Sequence, residues 1–455
     1  MHDSITIKHN IPYLSVTEEP KFYINSSQTK ISVTKGVCTF PLDRECPKCG
    51  HSLHVHGCNT IKLQDIELLG SINIIELTVS RLKCKCCNYS KMQDIPFKAE
   101  NHKLTTRLEA EVLSMLDNWA TLSSTSKAFN IHPAIVKDID KKRLDRLTWM
   151  HKPKPCEYIL IDEFLLHKGH HYATIVINGK TGHILYLEKG KKKQQAINFI
   201  NAMGPEWMSH VKAVGMDMNA QFDSAFKEAA PHIKVVYDKF HMIKMYNDNV
   251  LTAIRRRLQN EADEKGDKSL YELLKGSRYL LLTSKEKVVN GEEKARENNK
   301  RLNSMYTNKE KPLPPGERIM RIGQEKKLND LLAANQELNI AYLLLDQFKY
   351  SYSLTDMKTM YSGFKYWFLL AFQSKVPEII NFAKTIKRRF RGIKSSIAHK
   401  ITSGRVEGIN NMIKTIRRSS YGFRDIDYFF NKIMFFSYKQ KAYYKSCKVN
   451  FMLDY

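Results

Sequence analysis

The spacing of apolar residues changes along the chain, and each change predicts a different kind of element. Ile75, Leu77 and Val79 alternate with polar residues, which is typical of a strand with one buried face. Beyond residue 100, apolar residues recur every three or four positions and predict a helix; they are Leu104, Leu108, Val112 and Leu116. From residue 157 the spacing returns to that of strands.

A pair of short helices is predicted within residues 123–147. Ser123 or Ser124 can cap a helix that reaches Phe129, and Pro133, after the turn NIH, suits the first position of the next helix. This outline is that of a helix-turn-helix, whose second helix enters a DNA groove. The basic residues expected on or near the groove-facing side are Lys137, Lys141, Lys142 and Arg143.

A mixed α/β sheet is predicted after residue 156. The stretches EYILIDEF, YATIVIN and HILYLEKG predict three strands, and KKKQQAINFINAMG predicts a helix. VKAVGMDMN, a helix over about 220–229 and IKVVYDKFH then give a fourth strand, a helix and a fifth strand. Asp162 and Asp217 stand where apolar strand runs end. Carboxylates in such places commonly face solvent or cap the next helix.

A two-faced helix is predicted by TSGRVEGINNMIK, residues 402–414. At roughly 100° per residue, the apolar face holds Val406, Ile409, Ile413 and Ile416. The polar face holds Glu407, Asn411, Lys414 and Arg418. An ordinary solvated face would explain this pattern, so the role of Glu407 depends on the rest of the chain.

The composition predicts a polyanionic partner. The 455 residues include 73 Lys and Arg against 47 Asp and Glu, a net charge of +26. Such an excess favours nucleic acid, because phosphate contacts release condensed counterions. The sequence has no apolar run of about 18 residues to span a bilayer, and its start, MHDSITIKHN, lacks the pattern of a signal peptide. We therefore expect a soluble, cytoplasmic, nucleoid-associated protein with no membrane partner.

The placement of the cysteines predicts a bound metal ion. Six of the nine cysteines lie between residues 46 and 87, where a chain without signs of secretion favours metal binding over disulfides. CPKCG contributes Cys46 and Cys49, and CKCC contributes Cys84 with Cys87 or Cys86. Two such pairs supply four thiolates for one structural Zn²⁺. The alternatives are unbound thiols, or replacement of a cysteine by a histidine from the group His51, His54 and His56.

Four stretches, LIDEF, GMDMN, VVYDKFHMIK and GRVEGINNMIKTIRRSSYGF, follow CPKCG and the helix-turn-helix in this order. Together they resemble the insertion-sequence transposases of the DDE type, specifically the ISL-three family. The resemblance covers nearly the whole chain, and E-G-x-N-x-x-I-K is its most specific part. One departure is the compressed second cysteine pair, CKCC, which keeps Cys86 and Cys87 as alternatives.

The resemblance implies a ribonuclease-H-like catalytic core in which Asp162, Asp217 and Glu407 hold two Mg²⁺ or Mn²⁺ ions. Such ions, about 3.5 to 4 Å apart, need oxygen ligands from several elements. One ion activates water or a DNA 3′-hydroxyl and the other stabilises the leaving oxygen, so one site serves end cleavage and strand transfer. The polar face beside Glu407 is then expected to contact the DNA backbone through Asn411, Lys414 and Arg418.

The expected fold class is a multidomain α/β protein. Residues 1–98 are assigned to an N-terminal arm with the zinc-binding module, and residues 99–150 to the helix-turn-helix domain. The ribonuclease-H-like core takes residues 156–250 and 396–445, interrupted by a helical insertion at 251–395. The expected partners are double-stranded DNA, as transposon ends and target, and at least a second copy of the chain, because a transposon has two ends.

Asp217 and Asp238 compete as the second acid, since both follow apolar strand runs. In the ribonuclease-H-like order the fourth strand is the neighbour of the first, and ends of adjacent strands lie roughly 5 Å apart, which favours Asp217. Asp238, one strand further away, is expected to orient His241 or Lys239 from behind the metal ligands.

Two other functions fit parts of the sequence. A metal-dependent DNA nuclease would share the acids and stop after hydrolysis. A zinc-containing DNA-binding regulator would explain the charge and the N-terminal modules, but it has no use for strand-end aspartates and a distant glutamate. Strand-transfer products separate the transposase from the nuclease.

Overall fold

A computed structural model describes residues 10–150, 153–167, 169, 171–305, 316–399, 401, 404–420 and 422–446. The chain divides into two compact units. The first consists of Met1–Lys152 and Asn411–Tyr455, and the second of Pro153–Asn410. Within the described ranges, every helix is too short or too polar to span a bilayer.

The first unit begins with a six-stranded sheet. Its strands are β1 (Leu14–Val16), β2 (Lys21–Ile24), β3 (Lys30–Cys38), β4 (Leu53–Leu68), β5 (Ser71–Cys84) and β6 (Ser90–Met92). β4 and β5 form a long antiparallel hairpin in which Leu53 pairs with Cys84. The predicted alternation in β5 is confirmed, because Ile75, Leu77 and Val79 are buried and their neighbours only partly so.

Three helices follow this sheet: α1 (Thr106–Asp117), α2 (Leu122–Phe129) and α3 (Pro133–Met150). The end of α2 at Phe129 and the start of α3 at Pro133 were both predicted from the sequence. The predicted cap of α2 is wrong. Thr121 caps it instead of Ser123 or Ser124, since Thr121 Oγ1 accepts from the Ser124 N–H at 3.0 Å and Ser124 Oγ accepts from the Thr121 N–H at 3.0 Å.

The second unit contains a five-stranded mixed sheet, as predicted. Its strands are β7 (Tyr158–His167), β8 (His171–Asn178), β9 (Ile184–Lys189), β10 (Ala213–Met216) and β11 (Lys234–Tyr237). The order across the sheet is β11-β10-β7-β8-β9, with β10 parallel to β7 and β11 and the other pairs antiparallel. Helix α4 (Lys193–Ser209) precedes β10 and α5 (Ala220–Ala229) precedes β11.

A helical region follows β11. Its described elements are α6 (Lys239–Tyr246), a π-helical turn (Asn247–Leu251), α7 (Thr252–Glu264), α8 (Lys268–Leu274), α9 (Arg278–Leu281), α10 (Lys285–Met305), α11 (Gln324–Ala334), α12 (Gln336–Ser353), α13 (Met357–Gln373), α14 (Pro377–Arg388) and α15 (Phe390–His399). Trp367 is fully buried among aromatic rings of this region. These helices and the sheet share one continuous apolar core. The boundaries of a separate insertion domain stay a prediction.

Two helices close the chain, α16 (Gly404–Ser419) and α17 (Ile426–Ser446). The two-faced character of α16 is confirmed. Its buried side chains are Val406, Ile409, Met412, Ile413 and Ile416, and its exposed ones include Glu407, Asn411, Lys414 and Arg418. The first two residues of the predicted helix, 402 and 403, lie outside the described residues.

α17 packs against α3 in the first unit through a buried charge. Asp140 is fully buried on α3, and its Oδ2 accepts hydrogen bonds of 2.6 Å from Lys432 Nζ and the Tyr428 hydroxyl. A buried carboxylate is tolerated only when such partners neutralise it and satisfy its lone pairs. α3 therefore packs against residues almost 300 positions later in the chain.

Candidate active site

Asp162 lies within a strand rather than at its end. The sequence predicted that the strand stops at Asp162, but β7 continues to His167 because Phe164 and Leu166 are buried. The parallel pairing with β10, however, ends where Leu160 meets Gly215. Beyond that point only β8 pairs with β7, so Asp162 stands beside an unpaired edge.

Asp217 and Asp238 follow the two parallel strands. Asp217 comes directly after β10, and its Oδ1 accepts from the Asn219 N–H at 3.1 Å. Asp238 comes directly after β11 and caps α6, where its Oδ2 accepts from the His241 N–H at 3.3 Å. Because β10 pairs with both β7 and β11, Asp238 is one strand further from Asp162 than Asp217 is.

These three acids line one small cavity. Asp162, Asp217, Asp238 and His241 line it, together with the apolar residues Leu160, Ile161, Gly215, Met216, Val236, Ile401 and Val406. Its volume of about 20 Å³ gives room for about one water-sized species. The cavity is closed tightly on its apolar side, since a Cβ on Gly215 would lie 2.4 Å from the Leu160 side chain.

The Asp162 carboxylate is held at both oxygens. Its Oδ1 accepts from the backbone N–H of Glu163, and its Oδ2 accepts from the Asn410 side-chain amide, both at 2.8 Å. Burial raises the pKa of Asp162, and the negative charge of Asp217 acts in the same direction. A positive charge beside both aspartates would reverse this effect.

Glu407 is not brought to the two aspartates. It lies in the first turn of α16 with its side chain exposed, although its neighbour Val406 lines the cavity. Among the described residues, the groups of three or more potential ligand side chains within 4.8 Å of one another are all built on cysteines. Mutual repulsion between carboxylates favours the solvated position of Glu407.

Asn410 is a residue of the site that the sequence reasoning missed. It lies one turn after Glu407 and contacts Asp162, whereas the predicted Asn411 is exposed. The amide oxygen of Asn410 is buried without a hydrogen-bond partner. Its signal was present in the sequence, because the asparagine of E-G-x-N-x-x-I-K is Asn410.

Glu163 is a further acid beside the site. Its Oε2 accepts from Asn219 Nδ2 at 3.3 Å, and Lys191 Nζ lies 3.9 Å from its Oε1. Burial raises the pKa of Glu163. On the other side, His241 Nδ1 lies 3.0 Å from Asp238 Oδ2, and this carboxylate raises the pKa of His241.

A cluster of four thiols forms a separate site in the first unit. Cys46, Cys49, Cys84 and Cys87 place their Sγ atoms within 4.8 Å of one another, with three contacts of 3.4 to 3.6 Å. Sulfurs around a tetrahedral zinc with bonds of about 2.3 Å lie about 3.8 Å apart, so the cluster could bind zinc. Cys86 instead neighbours Cys49 and His51, and the geometry therefore selects Cys87.

A family model described as Transposase, for DDE transposases of the ISL3 (ISL-three) group, matches residues 159–433. The chain belongs to this family. The match spans the strand that bears Asp162, the loop that bears Asp217 and the helix that bears Glu407 and Asn410. The resemblance seen in the sequence is thereby confirmed, and the family implies a ribonuclease-H-like core.

Curated relatives of this transposase are transposases as well. It is 28% identical over 389 residues to the transposase for insertion sequence element IS1001 of Bordetella parapertussis, which covers 85% of this chain and 87% of the relative. It is 24% identical over 303 residues to the transposase for IS1557 of Mycobacterium tuberculosis, covering 62% of this chain and 59% of the relative.

The basic residues predicted on α3 of the transposase differ in their surroundings. Lys137 and Lys141 both lie near Asp425 Oδ2, at 3.1 and 3.2 Å, and Lys142 lies 2.7 Å from an oxygen of Asp138. The exposed fraction of these three lysine side chains is 40 to 44%. They are therefore accessible to a phosphate backbone.

Arg143 does not fit the predicted role in DNA binding. Its side chain is only 14% exposed, and its guanidinium pairs with Asp117 at 2.5 Å and with Asp140 at 2.6 Å. It also lies over the Phe435 ring, 4.7 Å from the centroid. These contacts make Arg143 part of the packing of the first unit, because the helix face that carries it meets α17 rather than solvent.

Proposed function

We propose that this transposase cleaves the ends of its insertion sequence and joins them to target DNA at the cavity lined by Asp162 and Asp217. One observation supports this proposal most directly: the carboxylates of Asp162 and Asp217, from the neighbouring parallel strands β7 and β10, line the same cavity. The chain also belongs to a transposase family. Two carboxylates on adjacent strands, one within β7 and one directly after β10, suit a phosphoryl-transfer site.

The donor set fits Mg²⁺ or Mn²⁺. Hard divalent cations take oxygen ligands, and Asp162 and Asp217 supply carboxylate oxygens beside a space for about one water-sized species. The unpartnered amide oxygen of Asn410 is a further oxygen close by. We assign Glu407 as the third acid, which requires its side chain to turn from solvent towards the cavity and would complete a site for two ions. Bound ions would activate the attacking oxygen and stabilise the leaving oxygen.

The residues of the chain itself position the reaction. The Glu163 N–H and the Asn410 amide fix both oxygens of Asp162, and Asp238 holds His241 at the cavity wall. Water attacks the scissile phosphate and frees a 3′-hydroxyl at the transposon end. That hydroxyl then attacks a target phosphate, and the target strand leaves with its own 3′-hydroxyl. Neither step needs a covalent bond to the protein.

The DNA contacts are proposed on accessible basic side chains. Lys137, Lys141 and Lys142 would contact the backbone of the terminal repeats, and Asn411, Lys414 and Arg418 would contact backbone near the scissile phosphate. A net charge of +26 supports such a partner. Two ends must be brought together for joining, so the active complex is proposed to contain at least two copies of the chain.

The thiol cluster is proposed to hold one structural Zn²⁺ through Cys46, Cys49, Cys84 and Cys87. Thiolate is the form that binds zinc. Hydrogen bonds from the backbone N–H groups of Cys87 and then Cys86 lower the pKa of the Cys84 thiol, whereas the neighbouring thiols, Cys87 first, raise the pKa of Cys49 to about 12. The assignment therefore rests on the short distances between the four sulfur atoms. The ion would fix the base of the β4–β5 hairpin, because Cys84 pairs there with Leu53.

The decisive experiment compares two substrates with Mg²⁺. Intact terminal-repeat DNA tests cleavage, and a pre-cleaved end with a free 3′-hydroxyl tests joining to a plasmid. Wild-type protein should do both, and Asp162→Asn should do neither while still binding the end. Asp248→Asn, an exposed acid paired with Arg278 in the same unit, is the matched control and should keep both activities. Cleavage without joining would make the protein a nuclease, and binding without cleavage would make it a regulator.

A further inference from the structure

A second cavity in the second unit lies outside the active site. It has a volume of about 270 Å³ and lies between α5, β11 and the corner where α14 meets α15. Its basic lining residues are Lys227, Arg388, Arg389 and Arg391. Among its described lining residues Asp223 is the single carboxylate, so the wall carries an excess of positive charge.

The three arginines of this pocket, Arg388, Arg389 and Arg391, are not neutralised by carboxylates of the described residues. Asp223 is already paired with Lys227 and hydrogen-bonded to the Tyr237 hydroxyl. Over the described residues, no carboxylate forms an ion pair with any of the three arginines. Arg388 Nε donates instead to the Lys384 carbonyl at 3.4 Å, and Arg389 donates to the Met218 carbonyl.

Arginines elsewhere in the same unit behave differently. Arg257 on α7 pairs with Glu261, Glu337 and Glu378, at 3.2, 2.5 and 3.0 Å. Three like charges within four residues of the α14–α15 corner repel one another, and a bound anion would relieve that repulsion. The contrast indicates that the pocket is arranged for a negatively charged ligand from outside the chain.

The pocket adjoins the edge of the sheet that carries the aspartates. Gly392 lies so close to the Tyr237 ring that a Cβ would come within 2.4 Å of it, which packs α15 directly on β11. Tyr237 immediately precedes Asp238, and the carbonyl that Arg389 contacts belongs to Met218, the residue after Asp217. A strand held in the pocket would therefore lie beside the loops that carry the aspartates.

We propose that this pocket binds a backbone phosphate of the DNA strand that continues from the scissile phosphate. The proposal rests on the proposed function, since it assigns a position to the same substrate. A guanidinium group presents two parallel N–H donors to phosphate oxygens and keeps its charge at any working pH. Arg388 and Arg391, both exposed, would make the contact, and Arg389 would link it to the loop after Asp217.

The test measures the salt dependence of end binding without divalent metal, so that it does not depend on catalysis. Each phosphate contact adds about 0.9 to the slope of log affinity against log salt for duplex DNA and about 0.7 for a single strand. The double variant Arg388→Ala, Arg391→Ala loses this one phosphate contact, so the magnitude of its slope should fall by about 0.9 for duplex DNA or about 0.7 for a single strand. The matched control Arg256→Ala, Lys265→Ala removes two exposed charges on or just after α7 and should leave the slope unchanged.

Ethylation of single phosphates locates the contact. Ethylation of one phosphate near the cleavage position should weaken binding of wild-type protein and have no effect on the double variant. Equal slopes for the double variant and its control, with an unchanged interference pattern, would overturn the proposal. Inorganic phosphate that stabilises the wild type but not the double variant at constant ionic strength, together with equal slopes for DNA binding, would assign the pocket to a free anion and would also overturn the proposal. If wild-type protein fails to cleave terminal-repeat DNA, only the proposed function is contradicted, because the binding measurements do not involve cleavage.

Discussion

At the scale of single residues, the neighbours Asn410 and Asn411 have different surroundings, which the helical pattern alone did not distinguish. Both belong to α16, but only Asn410 donates to Asp162, while Asn411 is exposed. A hydrogen bond to a charged group is worth about 1.5 to 3 kcal/mol. The orientation of Asp162 therefore depends on an amide that lies 248 residues away in the sequence.

We expect Asn410→Ala to slow end cleavage by about 10- to 150-fold, the rate equivalent of losing that hydrogen bond. Asn411→Ala is the control and should cleave at nearly the wild-type rate. The measurement is the single-turnover cleavage rate with saturating protein, so that weakened DNA binding does not contribute. Equal rates for the two variants would show that Asn410 does not position Asp162.

The proposed choice of Asp217 over Asp238 also rests on single residues. Asp217 adjoins the strand pair that includes Asp162, whereas Asp238 caps α6 and holds His241. We expect Asp217→Asn to abolish cleavage and strand transfer with Mg²⁺ and to leave end binding intact, since an amide cannot replace a charged ligand. Asp238→Asn should leave measurable cleavage. Gel electrophoresis of the DNA products measures cleavage by both variants. Cleavage by Asp217→Asn with none by Asp238→Asn would exchange the two assignments.

At the scale of elements, α3 and α17 of the first unit share a buried charged contact. Asp140 is fully buried and bonded by Lys432, Tyr428 and Arg143. Breaking a buried ion pair by removing one partner is costly, because the remaining charge stays in an apolar environment. The N-terminal helices therefore depend on a C-terminal helix for their packing.

We expect Lys432→Met to lower the free energy of unfolding by about 3 kcal/mol and to weaken end binding through loss of this packing. Lys142→Ala, which breaks a half-exposed pair with Asp138, should change it by no more than about 0.5 kcal/mol. Urea unfolding of the full chain measures both. An unfolding midpoint for Lys432→Met at the wild-type value would contradict a structural role for the pair.

The elements themselves were largely predictable from sequence. β5, α2, α3, the five-stranded sheet and α16 were all predicted, because a period of two or about 3.6 residues is written into neighbouring positions. The end of β7 was not, since the strand continues along β8 after its pairing with β10 has stopped. Local hydrophobicity does not reveal which neighbour supplies the hydrogen bonds.

At the scale of the whole molecule, the metal content is the property that one measurement can settle. We expect purified protein to carry about one zinc per chain and a chelator to destabilise the first unit, because structural zinc binding contributes to folding free energy. The Cys46→Ser, Cys49→Ser variant should lose the zinc. Cys58→Ser, at an exposed cysteine outside both candidate groups, should keep it. Undiminished zinc in the double variant would refute the assignment.

The sequence by itself determined the order of the elements, the positive charge, the cysteine pairs and the family, since each is written in composition, short motifs or local periodicity. Only the tertiary structure decided that Cys87 rather than Cys86 joins the thiol cluster and that Arg143 is packed against acids. It alone shows Asn410 at Asp162 and Glu407 facing solvent. These outcomes depend on which face of one element meets another, and that is set by packing between residues far apart in the chain.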